Sequence, residues 1–361
     1  MLVVLCVLLL TGCGKKHEQI NVGFMGTLSG RYSDLGQATL QGVMLAAESS
    51  PLAQDINLVV KDDFGSPSEV PKILNDFKNS NVKYIIGPNL SSVATAAVPL
   101  LEGHDMTMLS PTVSTSELAG KKDKFFRTMP HNNYRQAEVI SRYLLDKLNI
   151  RRVVVLYDAR NTSYSDDIVK KFSEAYMRGG GEVMDVRSFD PDAGDSFSSL
   201  IGKDRDDQPD MYYIIGSAMD TSLLIWQVRK AGFDSKILIR KWAASNEFFR
   251  LGGDAVEGVM LFDYYIDKEQ PEYKLFESEY KKRFQKDPSW MSVYGYETAR
   301  MFLEALPAVR QGGDLLTAVN NAAKHNRLLL NLHLDENGDA QLPLHYFVIK
   351  KGETVYQEKA E

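Results

Sequence analysis

Tyr84-Ile-Ile-Gly87 leads into Asn89-Leu90-Ser91-Ser92, then a helical stretch through Leu101 and a second apolar run at residues 106–109. Tyr213-Ile-Ile-Gly216 leads in the same order into Ser217, a helical stretch over about 221–231 and an apolar run at residues 237–239. Tyr84-Ile-Ile86, like Val153-Val-Val-Leu-Tyr157, is apolar at consecutive positions rather than alternate ones. A strand buried on both faces of a parallel sheet has that pattern. The same strand–helix–strand unit thus recurs about 130 residues apart. That repeat implies two similar α/β lobes, each of ordinary domain size at roughly 110–130 residues.

Further apolar runs extend the reading. Strands are expected at residues 20–24, 56–60, 82–86 and 106–109, then at 153–157, 183–186, 211–215 and 237–239. Amphipathic stretches separate them: Leu40, Val43, Met44 and Ala47 share one stripe, Ala137, Ile140, Leu144 and Leu148 another, and Ile168, Phe172, Ala175 and Tyr176 a third. Strands alternating with helices make βαβ units, so the fold class is α/β, with two doubly wound lobes. After an apolar run at 259–262 come three expected helices, over about 271–285, 291–309 and 313–324, then 328–334, a turn at Asp335-Glu-Asn-Gly-Asp339 and a last strand at 345–349. Such a return implies that the chain crosses back to cover the first lobe, through a hinge of two or three strands. The expected division is 20–130 plus 264–334 for lobe 1, and 131–263 plus 335–361 for lobe 2.

The 361 residues are 44% hydrophobic and 25% charged, a globular mix that excludes a disordered tail, a collagen-like repeat and a multi-span membrane protein. With Lys+Arg 42 against Asp+Glu 48, the net charge of −6 leaves no basic excess to neutralise phosphates, so no nucleic-acid partner is expected. Both cysteines, Cys6 and Cys13, fall in the first thirteen residues, so the rest holds no disulfide and no thiolate site. Met1-Leu-Val-Val-Leu-Cys-Val-Leu-Leu-Leu10 would span about 15 Å as a helix, half of a bilayer core of about 30 Å. Residues 1–13 therefore read as a signal peptide rather than a membrane span, although no Lys or Arg precedes the apolar run. Leu10-Thr-Gly-Cys13 resembles the bacterial lipobox, which implies lipidation at Cys13. Residues 14–19 would be a tether, and the protein would sit anchored in the periplasm or on the cell surface. An ordinary signal peptide is the alternative.

Catalytic signatures are missing: no G-x-S-x-G, H-E-x-x-H, G-x-x-x-x-G-K-[ST] or G-x-G-x-x-G occurs. The six histidines have no ligand spacing, and Asp335-Glu-Asn-Gly-Asp339 places its glycine wrongly for a calcium loop, so a tight turn is expected and no metal or cofactor. Asp62 and Asp63, adjacent at a strand end, point to opposite faces. No enzyme is expected. Polar groups collect instead after the strands, where open α/β sheets bind ligands: Thr27-Leu-Ser-Gly30, Ser91-Ser92, Ser110-Pro-Thr-Val-Ser114 and Ser217. Hydroxyls and free amides at helix starts suit a carboxylate or a phosphate. Plain helix caps, each stabilising by about 1 kcal/mol, are the competing reading of Ser91 and Ser114.

With these residues in place, the chain resembles the periplasmic substrate-binding proteins of ABC transporters, specifically the branched-chain amino acid (leucine-binding) type I group. The resemblance runs over residues 20–355. Its marks are Val22-Gly-Phe-Met-Gly-Thr-Leu-Ser-Gly30 with Gly36, Lys61-Asp-Asp63, Tyr84-Ile-Ile-Gly-Pro88, Leu109-Ser-Pro-Thr112, Phe126-Arg-Thr128, Val155-Leu-Tyr-Asp158, Gln227-Val-Arg-Lys-Ala-Gly232, Gly252-Gly253 with Glu257-Gly258, and Tyr294-Gly-Tyr296. It implies that Ser91, Thr112 and Ser114 hold the ligand carboxylate, that Leu35 packs on the ligand side chain, and that Tyr164 closes from the second lobe. Two positions depart from it. An aromatic falls on Ser217, and the acid that pairs with a ligand ammonium falls at about Lys241, in Arg240-Lys241-Trp242. A cation there repels an ammonium. Asp220 is the alternative anion; a ligand with a second negative or neutral polar group, or an aromatic acid stacking on Trp242, is the alternative ligand; and a solvated strand-end charge is the structural alternative for Lys241. Gly65 and Leu90 stand where some relatives carry a disulfide.

The expected function is capture of a small amino-acid-like or carboxylate ligand by a monomer that delivers it to an ABC permease in the membrane. A sensor that signals occupancy to a partner stays open, as does, more weakly, an adaptor that has lost its ligand.

Overall fold

A computed structural model describes residues 19–325, 328–329 and 332–360. The signal peptide, Cys13 and residues 14–18 of the tether lie outside the described residues.

Two sheets organise the molecule. The first comprises β1 (Ile20–Gly26), β2 (Ile56–Asp62), β3 (Tyr84–Ile86), β4 (Thr107–Ser110) and β5 (Phe125–Arg127), all parallel in the order β2-β1-β3-β4-β5. Its crossover helices are α1 (Ser33–Ser49), α2 (Val70–Asn79), α3 (Ser91–Ala97) and α4 (Leu101–His104). The chain then enters the second lobe through α5 (Tyr134–Arg142), followed by β6 (Arg152–Asp158), α6 (Thr162–Arg178), β7 (Glu182–Phe189), α7 (Phe197–Gly202), β8 (Met211–Ile215), α8 (Ala218–Lys230), β9 (Lys236–Ile239), α9 (Asn246–Gly252) and β10 (Met260–Tyr264). Every residue of β8 is buried, as its unbroken apolar run requires. The chain returns to the first lobe with α10 (Pro271–Phe284), α11 (Trp290–Arg310) and α12 (Leu315–Ala323) and the two-residue strands β11 (His333–Leu334) and β12 (Ala340–Gln341). It ends in the second sheet with the antiparallel pair β13 (Leu344–Lys350) and β14 (Glu353–Lys359), giving the order β14-β13-β10-β9-β8-β6-β7.

Among the described residues the chain passes between the sheets three times, at 128–133, 265–270 and 342–343. The last passage comes after Gln341, whereas the sequence reading placed it at 335. Residues 335–341 are held to the first lobe because the buried Arg127 guanidinium takes Asp339 as its counter-ion at 2.6 Å, and β12 pairs with β11. Asp335 accepts the Asn337 and Asp339 amides, the tight turn that the sequence suggested.

The return helices cover one face of the first sheet, where Tyr273, Phe276 and Phe302 share a core with Val22, Phe24 and Ile86. Within that layer α1 meets α11 at backbone contact. A Cβ on Gly42 would stand 2.1 Å from the Ser292 carbonyl oxygen, and one on Gly295 would stand 2.3 Å from that of Thr39. Only glycine permits that approach, and it fixes where Trp290, at the start of α11, enters the gap between the lobes.

Candidate functional site

The first-lobe wall is assembled from three loops that follow β1, β3 and β4. Asp62 takes the Leu28 amide at 2.9 Å and the Ser29 hydroxyl at 2.6 Å, and Asp63 takes the Thr27 hydroxyl at 2.6 Å. These adjacent carboxylates splint the first loop, so it delivers Tyr32 and Leu35 to the cleft. Ser110 donates to the Pro88 carbonyl and Thr112 to the Asn89 carbonyl, each at 2.8 Å, tying the second loop to the third. Leu35, Ser91, Thr112 and Ser114 all line one cavity between the lobes, with about 560 Å³ of space free of protein atoms, the open mouth included. Neither serine is a helix cap: Leu90 precedes α3, and Ser114 lies in a loop whose next residue, Thr115, does the capping. Among the described residues, the Ser91 and Ser114 hydroxyls have no hydrogen-bond partner.

The second-lobe wall comes from the ends of β6, β9 and β10. Tyr164, Lys241 and Trp242 line the cavity as the sequence suggested, with Tyr164 and Trp242 edge to face at 5.3 Å between ring centres. Lys241 is not a solvated charge. Its side chain is 9% exposed, it holds Asp263 at 2.6 Å, and its ammonium lies 5.0 Å from the Trp290 ring centre and 4.8 Å from that of Tyr294. Burial lowers its pKa, with Asp263 opposing.

Ser217 is not brought to the cavity. It is the N-cap of α8, accepting the Asp220 amide and donating to the Asp220 carboxylate, and its 1% exposure leaves no face for a ligand. The local hydroxyl-to-amide bond wins there, which is the cap reading given above to the other serines. Asp220 cannot serve as a free anion either, because Arg31 takes one oxygen at 2.9 Å and Arg160 the other at 2.6 Å.

Sequence reasoning missed Arg240, Asp263, Asn132, Asn161 and Trp290, which also line the cavity. Arg240 donates to Asn132 at 2.9 Å, its Nε is buried without a partner among the described residues, and no described carboxylate pairs with it. The available signal was the run Arg240-Lys241-Trp242 directly after a strand, in which the first cation and not the second is the one without a carboxylate. Among the described residues, no group of His, Cys, Asp and Glu could hold a metal ion.

The lobes are closed on each other. Asn161 accepts the Ser92 amide at 3.1 Å, Tyr32 donates to Asp158 at 2.9 Å, Arg31 bridges to Asp192 and Asp220, Ser245 donates to Asp34 at 2.9 Å, and Asp167 takes both the amide and hydroxyl of Ser116. Burial pushes the Asp34 carboxyl up to about 6, with Glu247 adding to the shift and the Ser245 hydrogen bond opposing it.

Comparison with known proteins agrees with this architecture. A family model described as periplasmic binding protein matches residues 19–331. A leucine-, isoleucine-, valine-, threonine- and alanine-binding protein of Pseudomonas aeruginosa is 24% identical over 333 residues, covering 89% of this chain and 87% of its own. The crystal structure of a leucine-binding protein from Thermotoga maritima superposes with a TM-score of 0.82 at 25% identity, covering 94% of this chain and 98% of that one. An ABC-transporter solute-binding protein from R. palustris, in complex with benzoate, shares the fold with a TM-score of 0.81 at 18% identity, covering 95% and 96%.

Proposed function

We propose, from the premise that the chain belongs to the periplasmic binding protein family, that it captures a small carboxylate between its lobes and delivers it to the permease of an ABC uptake system. The family consists of solute-binding proteins, and the chain is a binder rather than an enzyme. One observation carries the reading: a single cavity lined by hydroxyls from the first lobe and by Tyr164, Trp242 and Arg240 from the second, with hydrogen bonds between the lobes around it. A ligand that touches both walls binds the closed form better than the open one, and that differential affinity is what drives closure. The ligands named for two of the relatives, five small amino acids from leucine to threonine and alanine for one and benzoate for the other, have a carboxylate in common.

On this reading Ser91, Thr112 and Ser114 face the carboxylate, and Leu35, Tyr164 and Trp242 enclose the remainder. Lys241 serves as the counter-ion of Asp263 rather than as a ligand contact. Cys13 carries the lipid anchor and the protein acts outside the cytoplasm as a monomer. Ser91→Ala combined with Ser114→Ala is expected to abolish carboxylate binding in calorimetry while the unliganded melting temperature changes little. A large stability loss with unchanged affinity would make these residues purely structural. Cys13→Ser is expected to move the protein from the membrane to the soluble fraction, and continued membrane association would remove the anchor assignment.

A further inference from the structure

We infer that the cleft selects a net anion that has no ammonium group, a simple carboxylate rather than an α-amino acid, and that Arg240 is the residue that sets this preference; the inference rests on the carboxylate-capture reading above. It starts from charge. The charged side chains lining the cavity are Arg240, Lys241 and Asp263. Lys241 and Asp263 form an ion pair at 2.6 Å, which stays net neutral whichever partner holds the proton. Arg240 cannot be neutralised, because a guanidinium does not lose its proton in a protein. The cavity is therefore left with one positive charge. A monocarboxylate balances it, whereas a zwitterionic amino acid adds nothing to the balance and brings a second buried cation beside the first.

Hydrogen-bond demand points the same way. Three buried donors of the lining have no acceptor among the described residues: Arg240 Nε, Asn132 Nδ2 and Trp290 Nε1. Arg240 and Asn132 are already joined at 2.9 Å through the Asn132 carbonyl oxygen, so their free donors belong to one group. Either ligand's carboxylate offers two oxygens and about four acceptor sites to these donors, but an amino acid also brings an ammonium, a donor only, which adds to the donor excess. Among the described lining residues the wholly buried acceptor without a partner, Asn89 Oδ1, is turned toward the backbone, where a Cβ on Gly26 would stand 2.3 Å from it.

No carboxylate charge in or beside the lining is left uncompensated for an ammonium. Asp263 accepts from Lys241 and from the Tyr264 amide, both at 2.6 Å and both on the same oxygen. Asp158 is filled by Tyr32 and Arg160, and Asp220 by Arg31, Arg160 and Ser217.

The test uses matched pairs that differ only in the α-amino group: leucine against 4-methylpentanoate, and phenylalanine against 3-phenylpropanoate. Each is titrated into the purified full chain by calorimetry, with thermal unfolding in parallel. The desamino member of at least one pair is expected to bind and its amino acid not to. Arg240→Met is expected to weaken that binding by at least about 30-fold, the loss that follows truncation of one partner of a buried charge pair. Unfolding of unliganded Arg240→Met separates lost folding from lost affinity, and Arg240→Lys, which keeps the charge, is expected to retain part of the binding. Tighter binding of either amino acid, or full affinity in folded Arg240→Met, overturns the inference and leaves carboxylate capture standing. Silence from all four probes, with the other common aliphatic and aromatic carboxylates also silent, overturns the capture reading and the inference together.

Discussion

Replacing Tyr32 by Phe removes one hydroxyl and nothing else from the contact between the lobes. In the closed form that hydroxyl donates to Asp158 at 2.9 Å in a buried setting, and Asp158 raises the phenol's pKa after burial has already done so. When the lobes part, Tyr32 and Asp158 return to water, so the bond belongs to the closed form alone. A hydrogen bond to a charged group contributes about 1.5–3 kcal/mol. The same Asp158 oxygen keeps Arg160 at 2.8 Å, so the carboxylate is not orphaned and the lower figure applies. The ring keeps its place, 5.4 Å from the Trp242 ring centre and 5.3 Å from the Arg160 guanidinium. Closed-state stability drops by about 1.5 kcal/mol, and ligand affinity with it by about tenfold. Calorimetric titration with 3-phenylpropanoate measures the dissociation constant, and stopped-flow mixing should place most of the change in the dissociation rate. An unchanged dissociation constant together with a lower melting temperature of the unliganded protein would refute the reasoning, because the bond would then exist before closure.

Three further outcomes are expected. Asp34 has its carboxyl raised to about 6 in the closed form by burial, so closure takes up a proton; affinity should rise as the pH falls from about 7.5 to about 5.5 and fall as the pH rises through about 6, and a pH series of titrations on Asp34→Asn should be flat by comparison. Gly295→Ala forces a methyl to 2.3 Å from the Thr39 carbonyl oxygen and should cost about 1–3 kcal/mol, read as a melting temperature lowered by about 2–4 °C per kcal/mol; an unchanged value would mean that α1 and α11 can slide apart freely. Asp339→Asn leaves the wholly buried Arg127 guanidinium without its counter-ion and should cost about 3–5 kcal/mol in urea unfolding, while Arg127→Met combined with Asp339→Leu should cost less than the single change.

Much of this architecture was legible locally. Strands β6 and β8 announce themselves because burial on both faces demands apolar residues at consecutive positions. The return helices α10, α11 and α12 fall within a few residues of where periodicity placed them. Three strands escaped: the two-residue β12, and two more whose reasons are plain. β5 is three residues long, and β14, Glu-Thr-Val-Tyr-Gln-Glu-Lys, is an exposed edge whose charges guard its free side. Ser91, Thr112 and Ser114, which line the cavity, were readable because ligands of an open α/β sheet meet the loops that follow its strands, whereas Tyr164 and Trp242, which line it too, came from the family resemblance alone. Ser217 obeys the same positional rule and still folds back onto its own helix, which no spacing could reveal.

The sequence by itself determined the α/β class, the repeated lobe and the absence of catalytic signatures, since each follows from periodicity or residue type along a few turns of chain. What only the tertiary structure decided is the charge of the cleft. Lys241 meets Asp263 across neighbouring strands, Arg31 reaches Asp220 from the other lobe, and Arg240 is left over. Pairing among charges depends on distances of a few ångströms between residues tens to hundreds of positions apart, and local pattern carries no record of them.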